Sequence, residues 1–362
     1  MKKLAPWLII TWSLLFSLGV LTVLLGSFTS IPDTPMWIIG TLFWVADIIW
    51  IIIGLTQSGG KKKTAAKSVF VGNQQVFQRI CKETEEAVAR YTDAVNRKGI
   101  LKKSALYERP WFLLCGTSKS GKSSLLKGSG LNFPLKYPSE KDGMIVEGAN
   151  QVMWYFANEA VWIDSPGSYM DESGKDEWQA LVGALKRARP INPVDGVALV
   201  VNTNEVLNSD DMGIKELARR LRSRIDDLIA QWGIEFPVYL LFNRTDEVPG
   251  FKEYFAEMLD KSQDQIFGAT LPVKLQSVMP RLAFAEEFNI LCKSLTDFRL
   301  DRLFKERNEP KKRMICRFVI HFEGIQKKLG ALVAELFKTS SYEGKPLFRG
   351  FYFTSCYEKL SS

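Results

Sequence analysis

Charged positions are almost missing from residues 4 to 55 of the chain and frequent after them. No charge occurs between Lys3 and Asp33, and the stretch Trp7 to Phe28 supplies 22 residues. At about 1.5 Å per residue that is enough to cross a ~30 Å hydrocarbon core. A second apolar stretch runs from about Met36 to Leu55 and carries one charge, Asp47. The Ser-Ile-Pro-Asp-Thr-Pro segment between them is too short for anything but a tight hairpin. The first stretch is too long, and too quickly followed by a second, to read as a cleaved signal peptide. Lysines flank both outer ends (Lys2, Lys3; Lys61, Lys62, Lys63, Lys67) and none lies in the loop, so the positive-inside rule places both ends in the cytoplasm. Asp47 reads either as a helix–helix hydrogen bond or protonated acid, or as part of a proton path.

Beyond a Gly-, Ser- and Lys-rich linker the pattern becomes that of a globular protein. Phe77, Ile80, Cys81, Thr84, Val88, Tyr91 and Val95 recur at helical steps. Trp111–Cys115 is an apolar run ending in a Gly-rich turn. Val152–Phe156 and Ala160–Ile163 flank Ala-Asn-Glu and predict an antiparallel hairpin. A helix over 175–189, a strand over 197–201, a helix over 215–232 and a strand over 237–242 follow. This alternation, with one hairpin in an otherwise parallel sheet, predicts three-layer α/β packing of the small-GTPase kind. After residue 275 helices take over. Ile315, Phe318, Phe322, Ile325, Leu329, Leu332 and Leu336 form one apolar stripe, read as a helix packed on its own domain. Leu347–Ser355 reads as a buried strand or extended segment. The expected organisation is a transmembrane hairpin (1–56), a basic linker (57–68), a P-loop NTPase-like domain (69–275) and a mainly helical extension (276–362).

Composition changes this picture little. The net charge of +8 is partly carried by the lysines that flank the hairpin, and no aromatic-interleaved basic motif points to nucleic acid. Five cysteines without a CxxC pair argue against zinc and against a disulfide framework. One histidine, His321, excludes chemistry that needs two, and is read as structural.

The chemical signal is Gly116-Thr117-Ser118-Lys119-Ser120-Gly121-Lys122-Ser123, with Ser124 after it. It matches GxxxxGK[ST] between a predicted strand and a predicted helix. Glycines let the main chain curl around phosphate, and the amides and helix start face its charge. Lys122 is expected on the β- and γ-phosphates and Ser123 on Mg²⁺. Asp164-Ser165-Pro166-Gly167 fits DxxG, with Asp164 in the Mg²⁺ shell and the Gly167 amide toward a γ-phosphate; a plain strand-end turn is the alternative. Asn243-Arg244-Thr245-Asp246 is similar to NKxD, in which the Asp accepts from guanine and the Asn braces the loops. Here Arg stands in place of Lys, and GTP and ATP both stay open as ligands. Ser168 occupies the position after DxxG where GTPases carry a water-orienting Gln. No threonine lies between Thr117 and Thr203, leaving Ser139 as the stand-in for the switch threonine. Hydrolysis is therefore expected to be slow or partner-dependent, and no catalytic residue is assigned.

Several stretches resemble one family. They are Gly130-Leu131-Asn132-Phe133-Pro134-Leu135, Glu159 to Gly167, Gly250-Phe251, Phe267-Gly268-Ala269-Thr270-Leu271-Pro272 and Arg349-Gly350-Phe351-Tyr352-Phe353-Thr354-Ser355. With the hairpin they resemble the IcmF/TssM family, inner-membrane core components of type VI secretion systems, over essentially the whole chain. The family's usual DTAG is Asp-Ser-Pro-Gly here, and its P-loop is variable. The resemblance implies an N-terminal portion of a longer protein with a periplasmic part. It implies a multi-pass inner-membrane scaffold with its main domain cytoplasmic, homo-oligomeric within a large complex. The implied partners are a DotU/TssL-type inner-membrane protein, an outer-membrane lipoprotein and baseplate proteins. A membrane-anchored GTPase acting in targeting or transport is the alternative from another class.

Overall fold

The computed structural model describes residues 73–96, 106–138, 151–256, 266–272, 279–338 and 346–355. The predicted transmembrane hairpin, the linker, Asp47 and Ser139 lie outside the described residues. Among the described residues no helix is long and apolar enough to cross a membrane.

The first helix, α1 (Gln74–Asn96), presents Ile80, Cys81, Thr84, Ala87 and Tyr91 to the core. The strands follow as β1 (Trp111–Gly116), β2 (Leu135–Tyr137), β3 (Met153–Phe156), β4 (Val161–Asp164), β5 (Gly196–Asn202), β6 (Pro237–Asn243), β7 (Gly268–Thr270) and β8 (Leu347–Phe353). They form one sheet in the order β2-β3-β4-β1-β5-β6-β8-β7. Strands β4, β1, β5, β6 and β8 are parallel, and the predicted hairpin is the antiparallel pair β3–β4. The inner strands read as continuous apolar runs because both of their faces are covered. Two edge strands, β2 and β7, are three residues long each, too short to stand out in the pattern of polar and apolar positions.

The helices between and after the strands are α2 (Lys122–Gly128), α3 (Lys175–Ala188), α4 (Thr203–Asn208), α5 (Asp211–Trp232), α6 (Phe251–Phe255), α7 (Pro280–Lys305), α8 (Glu309–Gly324) and α9 (Gln326–Leu336). Helix α5 starts four residues before its predicted position because Asp210 caps it, its Oδ1 accepting from the Gly213 amide at 2.7 Å. The layers are unequal. The sheet face bearing Leu113, Ile163, Val197, Leu240 and Phe351 shares one core with α1, α3 and α5–α9. The opposite face has a small core in which, among the described residues, only α2 is a helical partner. The expected three-layer sandwich is thus thick on one side and thin on the other.

The stripe from Ile315 to Leu336 is corrected from one helix to two. The chain breaks at Ile325, whose amide turns back to the carbonyls of Phe322 and Glu323. The bend lets a single stripe serve two surfaces: α8 packs on α6 and α7, while α9 packs on α5. Strand β8 then returns into the sheet between β6 and β7.

A cluster of phenylalanines joins these helices to the sheet. Phe322 on α8 is fully buried, stacked on Phe288 of α7 at 5.1 Å and set edge-on to Phe353 of β8 at 4.8 Å. Truncating it removes contacts from three elements at once. Phe322→Ala is expected to cost about 3–5 kcal/mol, read as a lower denaturation midpoint. A loss below about 1 kcal/mol would mean that the cluster collapses to fill the hole.

Candidate nucleotide site

The C-terminal ends of β1, β4, β6 and β8 converge at one edge of the sheet, with β1 at the point where strand order reverses, the usual ligand crevice of open α/β sheets. Gly116 ends β1 at φ 154°, and a Cβ there would stand 2.1 Å from the Val200 carbonyl oxygen on β5. Gly121, at φ 82°, would drive a Cβ to 2.4 Å from Asn243 Nδ2. The loop is therefore curled, and only glycine fits either end.

Lys122 is buried and folded over this loop. Its ammonium donates to the carbonyls of Gly116 at 2.8 Å and Thr117 at 3.2 Å, and to Ser120 Oγ at 3.5 Å. Burial pushes its pKa down, and the nearby Asp164 charge opposes that shift. Ser123 Oγ donates to Asp164 Oδ2 at 2.6 Å. The other oxygen, Asp164 Oδ1, is buried and has no hydrogen-bond partner. Burial pushes the Asp164 carboxyl above its ordinary range, with Ser123 and Lys122 pulling the other way. A hydroxyl beside a carboxylate with one oxygen unsatisfied is a hard-oxygen pair that suits Mg²⁺, an ion that takes few protein ligands and keeps water and phosphate as the rest. Among the described residues there is no cluster of three His, Cys, Asp or Glu side chains for a metal.

Gly167 lies flat against the loop, where a Cβ would meet Ser118 Cα at 2.5 Å. The turn that follows is anchored: Tyr169 and Met170 are buried, and Arg224 of α5 donates to the carbonyls of Tyr169 at 2.9 Å and Asp171 at 2.8 Å. Asn243, fully buried, donates from Nδ2 to the Ser120 carbonyl at 2.8 Å and so braces the loop from β6. Arg244 pairs with Glu247 at 3.2 Å.

Gly116–Ser123, Asp164, Gly167 and Asn243 are thus brought into direct contact. Ser124 is exposed on α2, and its side chain makes no hydrogen bond among the described residues. Asp246 joins the site through β8, its Oδ1 accepting from Ser355 Oγ at 2.7 Å. Thr354 Oγ1 donates to Asn243 Oδ1 at 3.1 Å, and Thr203 Oγ1 to the Asn243 carbonyl at 2.8 Å. The sequence assigned no site role to Thr203, Thr354 or Ser355. The only hint was that Thr354 and Ser355 end an apolar run, as Asp164 and Asn243 do. A further chain runs from Thr117 Oγ1 to Glu205 Oε2 at 3.1 Å, and Arg220 bridges Glu205 at 3.5 Å and Asp171 at 3.3 Å.

Strand order, the curled 116–123 loop and Asp164 beside it define an α/β domain of the P-loop type. The profile of the IcmF-related N-terminal domain matches residues 171–361, and the chain belongs to this family. It is 30% identical over 300 residues to type VI secretion system component TssM1 of Pseudomonas aeruginosa, covering 81% of this chain and 27% of that protein. The chain thus spans about a quarter of the length of this curated relative. Among solved structures it is similar to the signal recognition particle receptor SRb-GTP/SRX complex of Chaetomium thermophilum, with 20% identity, a TM-score of 0.25, and coverage of 38% of this chain and 70% of that one. It is also similar to the Arl6 BBS3 small GTPase of Trypanosoma brucei, with 14% identity, a TM-score of 0.25, and coverage of 38% and 69%. Likenesses at these scores add nothing to the topology read from the strands.

Proposed function

We propose that this domain binds a Mg²⁺–nucleoside triphosphate as part of an inner-membrane scaffold of a type VI secretion system. The observation that carries the nucleotide is the Ser123–Asp164 pair, with its unsatisfied buried oxygen, beside the curled loop. The relation to TssM1 supports the secretion role, and the apolar hairpin of the sequence supports the membrane. A DotU/TssL-type protein, an outer-membrane lipoprotein and baseplate proteins are the partners that the family resemblance implies.

In this reading the loop amides and Lys122 hold the phosphates, and Ser123 and Asp164 hold the ion, which offsets phosphate charge. Asn243 keeps the loop curled. Ser168 supplies no group comparable to a water-orienting Gln, so turnover is slow and the site works as a switch or a structural element. Binding of fluorescent GTP and ATP to the full chain in detergent, with Mg²⁺ and with EDTA, tests the reading. Mg²⁺-dependent binding supports it; no binding of either nucleotide overturns it.

The base is guanine in this proposal. Asp246 has one oxygen engaged by Ser355, and its carboxylate can accept the two neighbouring N–H groups of a guanine edge. Asp246→Asn keeps an oxygen for Ser355 and turns the other arm into a donor. The variant is expected to lose GTP affinity by at least about tenfold and to gain xanthosine triphosphate, whose 2-oxygen accepts that donor. Equal affinity of wild type and variant for GTP would remove Asp246 from the base site.

A further inference from the structure

Lys119 stands in the middle of the curled loop at φ 62°, the left-handed region that favours glycine. Most side chains crowd their own carbonyl there, and backbone strain of this kind is commonly retained where function needs the side chain. The long cationic arm of Lys119 is exposed and makes no hydrogen bond or ion pair among the described residues. The other loop cation, Lys122, is buried beneath the loop against the carbonyls of Gly116 and Thr117, so Lys119 is the exposed cation of the loop. In the same site Asp164 is buried with Oδ1 unpartnered, the oxygen that the reading above gives to Mg²⁺, which leaves the far end of the phosphate tail to other groups.

A triphosphate differs from a diphosphate by one more anionic group at the far end of its tail. Among the described residues few groups can sense that difference: Ser168 replaces Gln, and Gly167 contributes only its main chain. A free ammonium on a flexible stem, rooted in the loop that curls round the phosphates, can close on a terminal phosphate as a point charge. We propose that Lys119 is a specificity-determining residue that contacts the terminal phosphate and makes the site prefer nucleoside triphosphate over diphosphate. This rests on the nucleotide site proposed above.

The test uses fluorescent GTP and GDP with Mg²⁺ on the full chain in detergent. Wild type is expected to bind GTP more tightly than GDP. Lys119→Ala is expected to weaken GTP about tenfold while moving GDP less than about twofold, and Lys119→Arg to keep most of the preference. Lys119→Gly serves as the folding control. It relaxes the left-handed backbone, so its thermal midpoint should be equal to or above wild type while its GTP preference falls with that of Lys119→Ala. An unchanged GTP-to-GDP ratio in Lys119→Ala overturns the inference and leaves the site standing. An equal loss for both nucleotides also overturns it. Wild type binding neither nucleotide overturns the site and the inference together.

Discussion

Arg224→Ala is expected to destabilise the domain by about 3–5 kcal/mol, the cost of breaking a buried charged network from one side. Arg224 is 1% exposed. It satisfies the carbonyls of Tyr169 and Asp171 and lies 3.6 Å from Asp227. Burial pushes the Asp227 carboxyl up and Arg224 pulls it down, with Lys175 and Gln179 helping, so alanine would strand two carbonyls and remove the largest of the groups that offset burial of this carboxylate. In a domain of this size the loss lowers the thermal midpoint by on the order of 10 °C. Arg224→Lys should not rescue it, because a point ammonium cannot span two carbonyls as the planar fork does. A calorimetric shift of less than about 3 °C would show that the turn after Gly167 is held by its buried Tyr169 and Met170 alone.

Lys122→Ala is expected to reduce triphosphate affinity by about a hundredfold or more, since in the proposed site it removes the charge-assisted bonds to two phosphates. The same change frees the carbonyls of Gly116 and Thr117, so the variant's thermal midpoint must be measured beside its affinity. Affinity within about threefold of wild type would take Lys122 out of the phosphate site. In cells the variant separates two roles for the nucleotide. Secretion lost with the complex still assembled marks a nucleotide-driven step, whereas unaffected secretion marks a scaffold.

The curl of the 116–123 loop was legible because it fixes residue types at fixed spacing: glycine where Cβ collides with Val200 and Asn243, then lysine and a hydroxyl. The β3–β4 hairpin was legible from two apolar runs three residues apart. The partners of Asn243 and Asp246 were not. Thr354 and Ser355 are ordinary hydroxyls at a strand end, and only the parallel pairing of β6 with β8 brings them to the site. That pairing has no local signal. The break at Ile325 was hidden because the stripe keeps its three- and four-residue steps through the bend. Helix α7 had no clear stripe, with Ile290, Leu300 and Phe304 exposed on it while Phe284 and Phe288 are buried.

The late return of β8 bears on how the protein is made. Until Leu347–Phe353 emerges, β6 has a bare edge where its parallel neighbour belongs, and that edge carries Val238, Leu240 and Phe242. Roughly 100 residues separate the two strands, so at about 5–20 residues per second the nascent domain waits on the order of 10 s with one edge of an apolar strand open. Over the same interval Asn243 and Asp246 lack Thr354 and Ser355. Within this domain the contacts of Asn243 and Asp246 with Thr354 and Ser355 are therefore among the last to be completed during synthesis, and a chaperone has those seconds in which to shield the open edge of β6.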